Sequence, residues 1–166
     1  MGVCTNFGFM LKKILLIFVL VFPSPGFNQN NDNIIDKRDA IIRLAEGFLG
    51  YRYRSKVSNS IFDCSGFVKY LMSAVGKNVT RSSISQVHDG RRISELKNAQ
   101  PGDILVFKGR NPRNNRPGHV GIVHHWSNDT LYFIHSSTSR GIRIDHMYDP
   151  YYLKRFLQVR DVIDHN

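Results

Sequence analysis

Cysteine is scarce in this chain, which has only two in 166 residues, Cys4 and Cys64. So few cysteines exclude the dense disulfide framework that stabilises many small secreted domains. Cys4 lies before the apolar segment near the N-terminus, so removal of a leader would leave Cys64 without an internal disulfide partner. A lone cysteine is usually a small buried hydrophobic residue. The residues around Cys64 nevertheless favour a chemical role.

Long apolar runs are also missing. Lys12 and Lys13 precede an apolar stretch at residues 14–22, which is too short to span a bilayer comfortably. A basic segment followed by a short apolar one is typical of a secretory signal. We therefore predict a signal peptide and polar spacer over residues 1–30 and a single domain over residues 31–166. The expected location is the periplasm or cell envelope, with no stable membrane anchor after signal cleavage.

Acidic residues are few, with 13 Asp and Glu against 23 Lys and Arg, so the formal net charge is +10. Residues 1–30 contain two of these cations and no acid, which leaves +8 on the predicted mature domain. A basic exported domain indicates an anionic partner such as an envelope polymer, a carboxylate-rich peptide or lipid headgroups. The chain has no zinc-finger spacing, no basic helix with regular aromatics and no ribonucleoprotein motif, so no nucleic-acid partner is predicted.

The stretch around Cys64 has the pattern of a buried helix with a cysteine in its first turn. Apolar residues recur with helical spacing from Phe67 to Val75. Asp63 is a good N-cap residue and Gly76 a good C-terminal stop. At a helix start the positive end of the dipole favours a thiolate, and free N–H groups can hold an oxyanion. Cys64 is therefore the candidate nucleophile.

Helical patterns come first in the chain and strand patterns follow. An amphipathic helix is predicted at residues 40–49, before the Cys64 helix, and residues 78–94 are polar and irregular with room for a short helix. A turn at residues 100–103 then introduces alternating apolar segments. This order indicates an α+β fold with an antiparallel sheet. The predicted strands are 104–107, 119–126, 131–136, 141–146 and 156–163.

Two histidines on adjacent predicted strands offer the base and the orienting group that a catalytic thiol needs. His119 opens one strand and His135 lies in the next. The sum of the two residue numbers is even, so an antiparallel hairpin of even register places both imidazoles on one face. A turn centred near residues 127–128 meets this condition. An odd register would place the two rings on opposite faces.

A zinc site is the main competing use of these histidines, with His124 and His125 joining His119 and His135. Adjacent strand residues point to opposite faces, so at most one of His124 and His125 is expected at a common site. Thiol hydrolysis itself requires no metal. We therefore predict neither a metal site nor a cofactor.

Three segments resemble the signature segments of the NlpC-type cell-wall cysteine peptidases, which are hydrolases with a papain-like core. These segments are 63–68, 119–123 and the later His135. Supporting segments occur in the family's order at residues 50–53, at residues 81–83 with Gln86, and at residues 96–103. The resemblance covers about residues 40–163. It implies an α+β papain-like fold with the catalytic cysteine at a helix N-terminus, packed on an antiparallel sheet.

The resemblance also implies a role for each matched residue. Cys64 is the expected nucleophile, His119 the general base and acid, and His135 the residue that orients His119. The residues implied in binding substrate or oxyanion are Tyr53, Ser65, Arg81 and Ser83, with Tyr51 as the alternative to Tyr53. The chain departs from the family at residues 54–57, where a Trp or Tyr and paired glycines are usual.

The implied function is an exported cysteine endopeptidase that hydrolyses amide bonds in peptidoglycan stem peptides or cross-links. Two alternatives remain open, a catalytically weak cell-wall binding module and an amidase or acyltransferase that uses the same thiol chemistry. The cationic loop at residues 108–118 is a further departure from the family. It is either a solvated loop or a carboxylate-binding segment that acts through Arg113 or Arg116.

Overall fold

The computed structural model describes Met1, residues 29–53 and residues 63–164. The predicted signal segment, Cys4 and the departure at residues 54–57 lie outside the described residues. The helices are α1 (Gln29–Glu46), α2 (Cys64–Ala74), α3 (Ser83–Gln86) and α4 (Pro150–Leu153), and a 3-10 turn spans Leu96–Asn98. The strands are β1 (Arg91–Ile93), β2 (Ile104–Lys108), β3 (Pro117–Ser127), β4 (Thr130–Ser137), β5 (Gly141–His146) and β6 (Phe156–Asp161).

All six strands form one antiparallel sheet in the order β1-β6-β2-β3-β4-β5. The helices-then-strands prediction of an α+β fold is therefore confirmed. The predicted strands agree closely with β2 to β6, and β5 matches at both ends. Three very short elements, β1, the 3-10 turn and α4, were not predicted from the sequence. Within the described residues, no helix is both long enough and apolar enough to cross a bilayer.

The helix α1 begins at Gln29, inside the predicted spacer, and ends at Glu46, whereas the prediction was residues 40–49. The difference arises because a charged residue of the helix is buried. Arg38 is 6% exposed and its guanidinium contacts Asp103 at 3.0 Å and Asp161 at 3.4 Å. These ion pairs attach a polar stretch of the helix to the sheet, so apolar periodicity alone underestimates its length.

The helix α2 has the predicted boundaries and caps. The Asp63 carboxylate accepts a 2.6 Å hydrogen bond from the Gly66 N–H, and Gly76 follows the helix with a φ of +75°. That φ lies in the left-handed region, where a residue with a side chain is strained. One helix face, which includes Phe67 and Leu71, is completely buried. This face fixes α2 against the sheet and so fixes Cys64 at its first turn.

The sheet separates two apolar clusters. The first cluster joins α1 and α2 to one face, through residues such as Phe67, Val106 and Val120, and it includes Cys64. The second cluster covers the other face, around Phe107 and Phe133. Successive residues of β2 alternate between the two clusters, as the pleat requires.

The β3–β4 hairpin contains a register shift that places the two histidines. Its turn is Asn128–Asp129, with φ values of +45° and +59°, which is typical of a two-residue hairpin connection. Next to the turn Ser127 pairs with Thr130, an odd register, but beyond a bulge at His124 the register becomes even, with Ile122 opposite Ile134. An odd register throughout would put His119 and His135 on opposite faces, so the bulge is what unites them.

Candidate active site

The two imidazoles predicted to share a face are in direct contact. His119 Nε2 lies 2.9 Å from His135 Nδ1, and the ring planes are perpendicular with centroids 4.9 Å apart. His135 sits opposite Gly121 in the even register, where a Cβ on Gly121 would approach the His135 Cβ to 3.0 Å. A glycine at position 121 therefore leaves the space that the His135 side chain occupies. The predicted pairing of the two histidines is confirmed.

A carboxylate and a phenol extend this contact into a chain of hydrogen bonds. Asp145 Oδ2 lies 2.9 Å from His135 Nε2 and accepts a 2.8 Å hydrogen bond from the Tyr152 hydroxyl. The Arg143 guanidinium also pairs with the Asp145 carboxylate. Burial raises the pKa of Asp145, but these contacts together outweigh it and lower that pKa to about 2. Asp145 is therefore an anion that can only accept hydrogen bonds.

The anionic carboxylate determines where the ring protons lie. Because Asp145 accepts, neutral His135 carries its proton on Nε2 and presents a lone pair at Nδ1. His119 must then donate from Nε2 to that lone pair, which leaves its own Nδ1 unprotonated. An unprotonated Nδ1 is the atom that can take a proton from a thiol. The hydrogen-bond chain thus holds His119 in the form of a base.

The Cys64 side chain meets the sheet at Val120, the residue that follows His119. Its side chain is 9% exposed, and the Val120 N–H stabilises the sulfur, together with the N–H groups of Ser65 and Cys64 itself. Among the residues that the structure describes, Cys64 and His119 are joined by no hydrogen bond. Such catalytic contacts often tighten only when substrate binds.

Burial raises the pKa of the Cys64 thiol, and the surrounding N–H groups only partly offset this effect. Burial thus opposes the helix start, which favours the thiolate, and the thiol still needs a base to remove its proton. Burial, together with the neighbouring His135, lowers the pKa of His119 below its usual value of 6.5. The resting site is a neutral thiol beside a neutral imidazole, so the base must remove the proton during the attack.

The start of α2 is held by polar side chains from the segment that follows α2 and from α3. The Arg81 guanidinium donates to the Asp63 carboxylate at 3.0 Å and to the Ser65 hydroxyl at 3.1 Å. The Gln86 side chain, which is fully buried, donates a 3.0 Å hydrogen bond to the Ser65 carbonyl. Arg81, Ser65 and Gln86 thus fix the backbone around Cys64.

The remaining predicted binding residues lie at different distances from this cluster. The pKa of Arg81 is raised mainly by its hydrogen bond to Asp63, and Cys64 and Tyr53 are also close enough to influence it, so Tyr53 lies on the same side of the site. The Tyr51 backbone instead pairs with Ile142 at the start of β5, and its ring packs edge-on against Phe48. Of the two tyrosines considered, this geometry favours Tyr53. Ser83 is the first residue of α3, which is capped by Ser82.

The neighbouring histidines do not complete a metal site. The bulge brings His124 and His125 to the same side, with their Nδ1 atoms 2.6 Å apart, so the prediction that they point to opposite faces is wrong. His124 contacts Glu46 and His125 stacks on Tyr132. Across residues 29–53 and 63–164, no group of three or more His, Cys, Asp or Glu side chains is placed to hold a metal ion.

Asp145, Tyr152 and Arg143 were not predicted from the sequence. Asp145 lies ten residues after His135, and in the β4–β5 register it pairs with Phe133, two residues before His135. This diagonal places the carboxylate on the same face as the imidazole. An acidic residue inside a strand is uncommon and was the available indication. No comparable indication existed for Tyr152, because the helix that carries it, α4, was not predicted.

A model of a known protein family covers the part of the chain that holds this site. The NlpC/P60 family model matches residues 50–161, which is more than half of the chain and includes the thiol, both imidazoles and Asp145. The chain belongs to the NlpC/P60 family. Its α+β papain-like fold, predicted from the resemblance, is confirmed.

Several NlpC/P60 relatives are similar over most of the chain. It is 32% identical over 131 residues to the murein DD-endopeptidase MepS/murein LD-carboxypeptidase of Escherichia coli K12, covering 78% of this chain and 65% of that protein. It is 31% identical over 147 residues to a probable endopeptidase NlpC homolog of Haemophilus influenzae, covering 86% of this chain and 72% of that protein. A crystal structure of an NlpC/P60 family protein from Bacillus cereus matches with a TM-score of 0.65 and 25% identity, covering 76% of this chain and 40% of that one.

Replacing Asp145 by asparagine is expected to lower kcat about tenfold to a hundredfold, the range of a hydrogen bond to a charged group, while KM stays unchanged. The carboxylate raises the pKa of both histidines. Its removal should therefore move the acid limb of the pH–rate profile to lower pH. Tyr152→Phe, which keeps the carboxylate, is the matched control and should have the smaller effect. An unaltered kcat and pH profile in Asp145→Asn would contradict the role of Asp145 in positioning His135.

Proposed function

We propose that this chain is an exported cysteine endopeptidase that hydrolyses amide bonds in the peptide stems or cross-links of peptidoglycan. The observation that carries the proposal is the chain of contacts from Asp145 through His135 to His119. This chain ends one residue from Val120, where the Cys64 sulfur meets β3. A thiol next to an oriented imidazole is the arrangement that acyl-transfer chemistry needs.

The reaction follows from the proton positions. Cys64 Sγ attacks the amide carbon as its proton passes to His119 Nδ1, and the carbonyl oxygen becomes an oxyanion. The C–N bond then breaks, the amine leaves with the proton from His119, and a thioester remains on Cys64. His119 next accepts a proton from water, whose oxygen attacks the thioester carbon. The C–S bond breaks, the carboxylic acid leaves, and the proton returns to the sulfur.

The start of α2 supports the oxyanion step. The N–H groups of Cys64 and Ser65 are close to the sulfur and available to the oxygen that the attack creates. Tyr53 is proposed beside the same oxygen, on the side where Arg81 lies. Ser65 and Arg81 are proposed to keep this pocket in shape, and Ser83, the first residue of α3, is proposed to border it.

The substrate and the location rest on the relatives and on the charge of the chain. The Escherichia coli relative is named for action on murein. The excess of Lys and Arg over Asp and Glu favours a polymer with free carboxylates. Export to the periplasm or cell envelope is proposed because basic residues precede a short apolar stretch near the N-terminus.

Digestion of purified sacculi followed by mass analysis of the soluble products tests the proposal. We expect muropeptides that carry one new free amine and one new free carboxylate, at the same bond throughout. Protein alkylated at the thiol with iodoacetamide is the control and should release none. Binding to sacculi without release would instead favour a binding module. New termini other than a peptide carboxylate would favour an amidase or acyltransferase.

A further inference from the structure

A large cavity opens on the histidine side of the site. Its volume is about 590 Å³, and its wall includes His119 and His135 but not Cys64. The proposed catalytic base, His119, therefore faces any group that binds in this cavity. The β4–β5 turn at residues 138–140 and the beginning of the loop at residues 108–118 form other parts of the wall.

The charges around this cavity are unbalanced. Two acidic residues, Asp145 and Asp149, line it against five cationic residues, which are Lys108, Arg110, Arg140, Arg143 and Arg155. Both carboxylates already have partners. Asp145 serves His135, Tyr152 and Arg143, and Asp149 accepts a hydrogen bond from the Tyr151 N–H. Asp149 therefore keeps its negative charge, but two acids against five cations leave the wall with an excess of three positive charges.

The five cations divide into fixed and available groups. Arg143 pairs with Asp145, and Arg155 lies over the Tyr151 ring at 3.8 Å, so both are held in place. Lys108 contacts a backbone carbonyl. Arg110 and Arg140 have no ion-pair partner among the residues that the structure describes, and both are exposed at the cavity rim. Two such guanidinium groups fit the planar geometry of a carboxylate.

We propose that this cavity is a subsite for a carboxylate of the substrate peptide, bound by Arg110 and Arg140. The subsite rests on the proposed function, since the peptide stems of peptidoglycan supply free carboxylates next to the amide bonds. It replaces the expectation that Arg113 or Arg116 binds that group, because neither lines the cavity. Acidic peptides should therefore bind better than their amidated forms.

Calorimetric titration separates this subsite from catalysis. The full-length Cys64→Ala protein is titrated with L-alanyl-γ-D-glutamyl-diaminopimelate and with the same peptide carrying carboxamides in place of its free carboxylates. We expect the acidic peptide to bind about tenfold more tightly at low salt, and the difference to shrink as salt is added. Arg110→Gln and Arg140→Gln should each weaken binding of the acidic peptide about threefold, and the double variant about tenfold, with no change for the amidated peptide.

Arg43→Gln is the matched control, since Arg43 is a 66% exposed arginine on α1 outside the cavity wall. Equal binding of the two peptides, or equal losses for both in the arginine variants, would overturn the subsite. Inorganic phosphate that binds the cavity while the peptides show no preference would also overturn it, in favour of a phosphate site. Discrimination in binding with no hydrolysis by the wild-type protein would retain the subsite and reject the proposed enzyme.

Discussion

Cys64→Ala is expected to reduce the release of soluble muropeptides from sacculi by about four orders of magnitude or more, down to the background rate. The methyl side chain cannot attack a carbonyl carbon, and no second cysteine among the described residues can replace it. Cys64→Ser should also fall near background. The arrangement that removes a proton from a thiol is poorly suited to the much less acidic hydroxyl.

Cys64→Ala should leave the fold intact, because Cys64 contributes only a small side chain to the first cluster. We expect a loss of about 1 kcal/mol or less in the free energy of unfolding, measured by chemical denaturation. Ser73→Ala is a suitable control on the same helix. Among the described residues its exposed hydroxyl donates a hydrogen bond to the Lys69 carbonyl and to no other group, so activity and stability should both remain. Near-normal release by Cys64→Ala would reject the cysteine mechanism.

Local patterns predicted the parts of the site that depend on short stretches of chain. The boundaries of α2 follow from Asp63, Gly76 and the apolar spacing between them, all within one segment of sequence. The positive φ values of the Asn128–Asp129 turn are likewise local, since these residue types tolerate that conformation. Both features were therefore open to prediction from sequence.

The register of the hairpin depended on a feature that the sequence did not reveal. The turn alone sets an odd register, which would separate His119 from His135. The bulge at His124 corrects it by one residue, and nothing in the run of residues around His124 marks which of them is left unpaired. The two histidines lie beyond the bulge, where the register is even, and the prediction that they share a face is therefore correct.

Long-range polar contacts account for most of what the sequence analysis missed. Arg38 is buried only because carboxylates from β6 and from the turn before β2 surround it. The raised pKa of Cys64 similarly reflects burial beneath β3, which outweighs the local effect of the helix start. Burial and partners of this kind come from distant segments. Neighbouring residues alone therefore do not determine the pKa of the thiol.

His119→Gln is expected to lower kcat about a thousandfold to ten-thousandfold, since glutamine keeps a hydrogen-bond donor for His135 but cannot take a proton. In the wild type, activity should be lost when His119 becomes protonated. The lowered pKa of His119 places that loss below pH 6.5, so the rate should be nearly constant between pH 7 and the lower pKa. An acid limb centred at or above pH 6.5 would contradict a neutral resting imidazole.

The lowered pKa of His119 also makes the free energy of unfolding depend on pH, so stability is measured over the same pH range as activity. The unfolded chain binds a proton at His119 near pH 6.5, whereas the folded chain binds it only at lower pH. The unfolded state thus carries more protons in this window, and the free energy of unfolding decreases as pH falls. In His119→Gln this contribution disappears, so its melting temperature should depend less on pH than that of the wild type. Matching melting profiles would show that His119 keeps its usual pKa in the folded protein.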